Sequence, residues 1–332
     1  MSKLNLETRI LEDSEYPLWD DLVDSSPQGT IFHTSDWLGI CRDIFEKEPI
    51  IFGCFSDDEL IGGCSLFVHK FKGILKVASS TCEMTPYGGF VLRSSKSTKI
   101  RKIEQNYFLC INNLIKLIKY EKYSAINIIE SPDLLDVRPF TGNKWRSRVL
   151  YTYYLDLNND ALDNSLGGIK REVKCAEKLG ITLENIRNAK IHNALFEKIF
   201  ERQNIQPPAN ITFFKKVIEL LNRKKIGDMW IAKNQSDEIV ASRIWLWDNK
   251  RAYAWSAASD PNFRSSGANV FLFYNILQEL SHRNIKEINI MHGNTPRLIQ
   301  FATKFNPKLI PYYGLDKNSF IVDLALGIRR RL

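Results

Sequence analysis

Arg264-Ser265-Ser266-Gly267-Ala268-Asn269 is a run of small residues, led by a cation, that opens a long amphipathic helix. The first amides of a helix have no intrahelical acceptor and lie at the positive end of its dipole, so such a turn is a socket for phosphate. Arg264 adds a charge that can fork onto a phosphate oxygen. The plainer alternative is an exposed Arg264, with Ser265 or Ser266 merely capping the helix. His292, in Met291-His292-Gly293-Asn294, ends a strand, and its ordinary pKa near neutrality suits a general base. Asp260, at the mouth of the preceding strand, is the second candidate. A His before Gly is also a common turn residue, and an Asp before Pro a common turn or cap former.

Other side chains could hold an acceptor. Lys170, Arg171, Lys174 and Lys178 form a basic helix face, suited to phosphates or a tRNA stem and equally to plain solvation. Trp245 and Trp247 alternate onto one face of a strand, and Tyr253 and Trp255 share a face of its neighbour. Either pair is core packing or, on an open face, a platform for a sugar ring. Tyr87, Lys170, Arg171, Arg243 and Trp255 are the candidate acceptor-binding residues. No phosphate-loop, zinc-protease, serine-elbow or Cys/His ligand pattern is present, and no metal is expected.

The elements that must position these groups come in two similar sets. Ser56-Asp57-Asp58-Glu59-Leu60-Ile61-Gly62 returns about one domain's length later as Gln235-Ser236-Asp237-Glu238-Ile239-Val240-Ala241, each a polar turn between apolar strands. In the first set, helices at Trp19–Val23 and Trp37–Phe45 precede strands at Pro49–Phe55, Leu60–His69, Leu75–Ser80 and Phe90–Leu92. A helix at Tyr107–Tyr120 and a strand at Ala125–Ile129 complete it. The second set has a strand at Tyr151–Leu157 and helices at Ser165–Leu179, Ile191–Arg202 and Phe213–Lys224. Strands at Met229–Lys233, Ile239–Trp247 and Arg251–Ala258 follow, then a helix at Asn269–His282 and a strand at Lys286–Ile290. A helix at Pro296–Phe305 and strands at Leu309–Tyr313 and Phe320–Leu324 close it. The Pro, Gly, Asn and Asp between Ser131 and Arg146 mark a crossing, which places one unit at 1–145 and the other at 146–332.

The 332 residues, 44% hydrophobic and 25% charged, suit an ordinary globular chain of two domains. No apolar run is long enough to span a bilayer, and the first residues are too polar for a signal peptide, so a cytoplasmic location is expected. The six widely spaced cysteines read as reduced thiols, most of them buried. A net charge of +8 favours an anionic partner: nucleotide phosphate, tRNA or an acidic membrane surface. Arg329-Arg330-Arg331, after an apolar stretch, could rest on an anionic leaflet at the inner membrane face.

This order of elements, with particular residues, resembles the GNAT superfamily of N-acetyltransferases and within it the Fem-like tandem-GNAT branch. The carrying residues are Arg264 to Asn269, matching [Q/R]-x-x-G-x-[G/A] except that Asn269 stands where Gly or Ala is usual, and the Asp260-Pro261 lead-in. Phe301-Ala302-Thr303-Lys304-Phe305, Phe32-His33-Thr34-Ser35-Asp36-Trp37 and Pro86-Tyr87-Gly88-Gly89 add to them. The likeness is strongest over 150–315. It implies an α/β (α+β GNAT-like) fold: two tandem acyl-CoA N-acyltransferase-like units, each a mixed, mostly antiparallel sheet flanked by helices. It also implies that the strand before the phosphate-binding helix splays from the next, with the acyl carbonyl in the gap. Tyr313 or Tyr312 is then a candidate acid for the leaving group, packing being the alternative.

The leading expectation is an N-acyltransferase that moves an acyl group from acyl-CoA, in its acetyl form, to an amine of a cell-envelope precursor such as an amino sugar or lipid-linked glycan. The long coiled-coil arm of some aminoacyl-tRNA-dependent Fem proteins is not visible, which favours the CoA donor. The alternatives are an aminoacyl-tRNA-dependent transferase acting on a peptidoglycan precursor and a non-catalytic tandem-GNAT binding module. Acceptor, chain length and oligomeric state stay open.

Overall fold

The computed structural model describes residues 6–71, 73–95, 97–158 and 167–329. Two compact units divide them, one of 1–150 with 311–332 and one of 151–310. The sequence reading put 311–332 with the second unit; their contacts are with the first.

In the first unit, β1 (Leu6–Ile10), α1 (Tyr16–Ser25) and α2 (Ser35–Phe45) lead into β2 (Glu48–Ser56), β3 (Glu59–Phe71), β4 (Leu75–Ser79) and β5 (Gly89–Leu92). Then come α3 (Ile100–Tyr120), β6 (Ala125–Ile129) and the short α4 (Arg138–Gly142). Thr34 caps α2 by accepting from the Trp37 amide, as its position before Ser35-Asp36 predicts. Cys110, Ile111, Leu114, Ile115 and Ile118 recur at helical spacing along α3 and bury one stripe against Phe52, Leu66, Phe90 and Ile128.

β7 (Arg146–Asp156) begins in the first unit and ends in the second, which goes on with α5 (Lys170–Lys178), β8 (Thr182–Asn185), α6 (Ala189–Glu201) and α7 (Ile211–Lys224). It continues through β9 (Gly227–Lys233), β10 (Ile239–Trp247), β11 (Ala252–Ser259), α8 (Ala268–His282), β12 (Glu287–Asn289) and α9 (Pro296–Ala302). Its strands lie in the order β7-β12-β11-β10-β9-β8. Trp245 stacks on Phe273 of α8, whereas His192 of α6 reaches Ser242 and Ser256, so α8 and α6 cover opposite faces of β10. β13 (Lys308–Asn318) and α10 (Phe320–Arg329) end the chain, and β13 pairs antiparallel with β6. The first unit's strands thus lie in the order β1-β2-β3-β4-β6-β13, with β5 on β3.

The repeated turn is the same device in both units. It joins β2 to β3 and β9 to β10, with Asp57 at φ 54° and Asp237 at φ 60°. Aspartate tolerates this left-handed backbone better than most side chains.

Three readings change. Phe320–Leu324 is the start of α10, not a strand; an apolar run this short has no period that separates the two. β8 went unseen because Thr182-Leu183-Glu184-Asn185 is a short edge strand with little apolar signal. Neither expected pair forms an open platform: Trp245 and Tyr253 are each 1% exposed, and Trp247 alone of the four is half-buried. Trp255 is 4% exposed and packs on Phe213 and Phe214 of α7, so the acceptor role expected of it gives way to core packing. All six cysteines are free, four of them buried. No described helix is long and apolar enough to cross a membrane. Residues 330–332 of the basic tail, and 165–166 of the expected helix before α5, lie outside the described residues.

Candidate active site

Two neighbouring parallel strands part company in the second unit. β11 meets β12 at only two positions, Ala252 opposite Ile288 and Tyr253 opposite Asn289. Beyond them β11 runs on to Ser259, paired on its other edge to β10 as far as Ala241. Its register on β10 slips from Ile244–Ser256 to Leu246–Tyr253, so β11 holds one extra residue where the strands separate. A bulge of this kind twists a strand and re-aims its groups. Among the described residues no strand pairs the β12-facing edge of β11 beyond Tyr253.

On the other side of the gap, Met291 and His292 sit at φ 67° and 56°, two consecutive left-handed residues that turn the chain out of β12. Such strain persists only where neighbours enforce it. Asn289 Oδ1 accepts from the Met291 amide at 2.9 Å and from Thr152 Oγ1 at 2.6 Å. Asn294 pairs with the Tyr151 backbone in both directions, at 2.9 and 3.0 Å. Gly293 passes so close to β7 that a Cβ would lie 2.4 Å from the Tyr151 carbonyl oxygen. His292 is thereby held exposed at the end of β12, with no side-chain hydrogen bond among the described residues. Desolvation by the protein around its ring lowers its pKa below the ordinary value.

The expected phosphate socket heads α8. Ser266 Oγ donates to the Phe263 carbonyl at 2.6 Å and accepts from the Ala268 amide at 3.2 Å. Gly267 is required twice over: its φ is 75°, and a Cβ there would sit 2.4 Å from the Glu172 carbonyl oxygen of α5. Ser266, Gly267 and Ala268 therefore build the turn. Arg264 and Ser265 are exposed, and the amides of Asn269 and Val270 make no protein hydrogen bond among the described residues. Repulsion from Arg297 of α9, then burial and Arg202, lowers the Arg264 pKa, so cations converge near the head of α8.

Asn269 accepts from Arg243 Nε at 3.0 Å. Arg243, on β10, is 5% exposed, with its guanidinium carbon 4.7 Å from the ring centroids of both Phe273 and Phe301. Burial draws its pKa down to about 9, so it remains charged at neutral pH. The Asn269 bond occupies one of the five N–H donors of a guanidinium. Its terminal nitrogens are not among the buried atoms that lack a partner, so they reach solvent, where water or an anion can meet them.

The other expected residues lie as follows. Asp260 caps the turn at Pro261–Ser266 through the Asn262 amide and receives Lys198 Nζ at 2.8 Å. The bond to Lys198 comes first in lowering its pKa, which makes it a poor proton acceptor near neutrality. Tyr313 is in the first unit, where its carbonyl accepts from the Glu130 amide. Tyr87, also there, is buried, edge-on to Tyr312 at 5.3 Å. Lys170 and Arg171 are exposed on α5.

Sequence reasoning missed Asn289, Asn294 and the Arg243–Asn269 bond. A lone asparagine carries no periodic signal; the double occurrence of Asn around His292 was the hint available. It also missed His192, wholly buried, whose two ring nitrogens lie 2.8 Å from Ser242 Oγ and Ser256 Oγ.

Residues 166–296 match the acetyltransferase (GNAT) domain family. No curated protein gives a significant match to the chain. Among solved structures, FemX is similar at a TM-score of 0.70 and 13% identity, covering 96% of this chain and 99% of its own. L-PGS from Bacillus licheniformis follows at 0.57 and 13%, covering 96% of each chain. A tandem GNAT protein from the clavulanic acid biosynthesis pathway matches at 0.56 and 12%, covering 94% of this chain and 98% of its own. The second unit thus carries a GNAT-type acyltransferase domain, in a chain that has the Fem-like fold of tandem GNAT proteins.

Proposed function

We propose that the protein is an N-acyltransferase that uses acyl-CoA as donor and an amine of a cell-envelope precursor, an amino sugar or lipid-linked glycan, as acceptor. The observation that carries this reading is the parting of β11 from β12 beside the head of α8. A thioester carbonyl laid along the free edge of β11 would meet backbone N–H groups, which stabilise the oxyanion of an acyl-transfer transition state. The diphosphate of the donor would lie at the Asn269 and Val270 amides, with Arg264, Ser265 and Arg297 around it. The acceptor nitrogen attacks the carbonyl carbon, its proton passes to His292 directly or through water, and the C–S bond breaks to release the CoA thiolate, which takes up that proton to leave as the thiol. Alignment supplies most of the rate and the base a further share.

Fem-like resemblance and the exposed basic face of α5 favour one second reading, an aminoacyl-tRNA donor. Isothermal titration separates the two. Acetyl-CoA should bind with measurable heat; no heat, together with tRNA binding that weakens steeply with salt, would transfer the assignment to the second donor. The acceptor is then identified by mass spectrometry of ligand retained through native purification.

A further inference from the structure

Arg243 lies directly opposite Ala257 of β11, so the two side chains share a face of the sheet. Ala257 is exposed although the residues on either side of it are buried, which opens that face beside Arg243, on the stretch of β11 that β12 does not pair. Phe273 and Phe301 flank the guanidinium, and Asn269 holds its Nε edge. Its two terminal nitrogens have no protein partner among the described residues, and no carboxylate pairs with it. Asn269 is the second residue of the fifteen-residue α8, where the amides of Asn269 and Val270 are also without acceptors. The guanidinium fork of a buried arginine on β10 and two helix-head amides without acceptors are thus linked through Asn269.

We propose that Arg243 is a buried receptor for a phosphate group of the ligand. Its terminal fork grips two phosphate oxygens beside the first-turn amides of α8, and Asn269 keeps the guanidinium in register. A phosphate is favoured over a carboxylate because it has oxygens for the fork and the amides at once, and because Arg264, Arg297 and Arg202 add positive potential nearby. The same bond accounts for an asparagine where a phosphate socket usually keeps a smaller residue: here that position orients an arginine. This inference deepens the reading of the α8 head as the donor site and rests on it for the donor's identity alone.

Inorganic pyrophosphate is the probe, followed by isothermal titration and by the shift in Tm. Wild-type protein should bind it with heat and gain Tm. Arg243→Lys, which keeps charge but loses the fork, should weaken binding at least tenfold. Arg243→Met should give no heat, while its Tm without pyrophosphate stays at or above that of the wild type. Asn269→Ala should weaken binding less than Arg243→Met. Undiminished pyrophosphate affinity in Arg243→Met, or in Arg243→Lys should the methionine variant not fold, overturns the proposal and leaves Arg243 as a packing residue. Wild-type protein with neither heat nor a Tm gain overturns it equally. Pyrophosphate bound through Arg243 with no heat from acetyl-CoA would keep the receptor and reject the acyl-CoA donor.

Discussion

His292 and Glu130 show how one structure can push two titrating groups in opposite senses. The imidazole of His292 has its pKa lowered by the protein around it, so its neutral, proton-accepting form persists below the usual histidine range. The acid limb of kcat/KM should accordingly fall below pH 6.5, and His292→Ala should lose that limb and about 10²–10⁴-fold in rate. A variant that keeps both the limb and the rate removes His292 from the chemistry. In the first unit Glu130 is fully buried; Oε2 accepts from the Phe90 amide at 3.0 Å and Oε1 has no partner. Burial raises its carboxyl pKa well above normal. The folded state therefore holds its proton where the unfolded chain has released it, and stability is lost as pH rises past the ordinary carboxylate range. Glu130→Gln should raise Tm at pH 8 by more than at pH 5. A gap that narrows or reverses would mean that the acid form is not what the fold selects.

At the level of elements, α6 is fastened to the sheet by a polar clamp. His192 bridges Ser242 on β10 and Ser256 on β11, with Phe196 stacked on its ring and Phe214 edge-on. Desolvation lowers its pKa to about 3. The unfolded chain, with an ordinary histidine, takes up the proton first, so this stability is complete above about pH 6.5 and declines toward pH 3. Chemical denaturation should show a slope of up to about 1.4 kcal/mol per pH unit in that window. His192→Ala should abolish the slope and cost roughly 2–4 kcal/mol, by leaving a cavity and two unpartnered hydroxyls. The turn between β11 and α8 depends on Gly267 in a different way. Gly267→Ala forces a Cβ into the Glu172 carbonyl at a left-handed backbone position, which should cost roughly 1–3 kcal/mol and weaken acetyl-CoA binding. Gly39→Ala in α2, with nothing within 4 Å of the added carbon, is the control and should be neutral or stabilising. Equal behaviour of the two variants would mean that the α5–α8 approach is not rigid.

On the scale of the whole chain, the duplicated plan has only one open gap among the described residues. In the first unit β4 and β6 also run parallel, through Val77–Ala125, Ala78–Ile126 and Ser79–Asn127. There, however, the Ser80 amide bonds the Asn127 carbonyl at 2.9 Å and the Gly88 amide the Ile129 carbonyl at 3.0 Å. Gly88 approaches Ser80 so closely that a Cβ would lie 2.0 Å from its carbonyl oxygen. The segment through Pro86-Tyr87-Gly88-Gly89 knits this unit shut. One molecule of acetyl-CoA should therefore bind per chain, and a titration that saturates at two would show that the first unit opens.

Much of the plan was legible in the sequence. Hydrophobic period marked α2, α3, α7 and α8 and the strands between them, and the twin Asp turns gave the duplication, because turns and amphipathic faces are local. Residues 311–332 were misassigned because a strand's sequence specifies its faces and not which sheet takes it. For a related reason the sequence left Asp260 open between base and cap, and the bond from Lys198 of α6 is visible only in the fold. By itself the chain determined where a helix would begin after small residues, where strands would turn, and that Arg264 stands just before that start. Only tertiary structure decided that β11 and β12 part after two residue pairs, that Ser266 serves the turn, and that Arg243 reaches Asn269 across 26 positions. Those outcomes depend on groups far apart in sequence being brought within hydrogen-bond reach, and no local period or propensity records such distances.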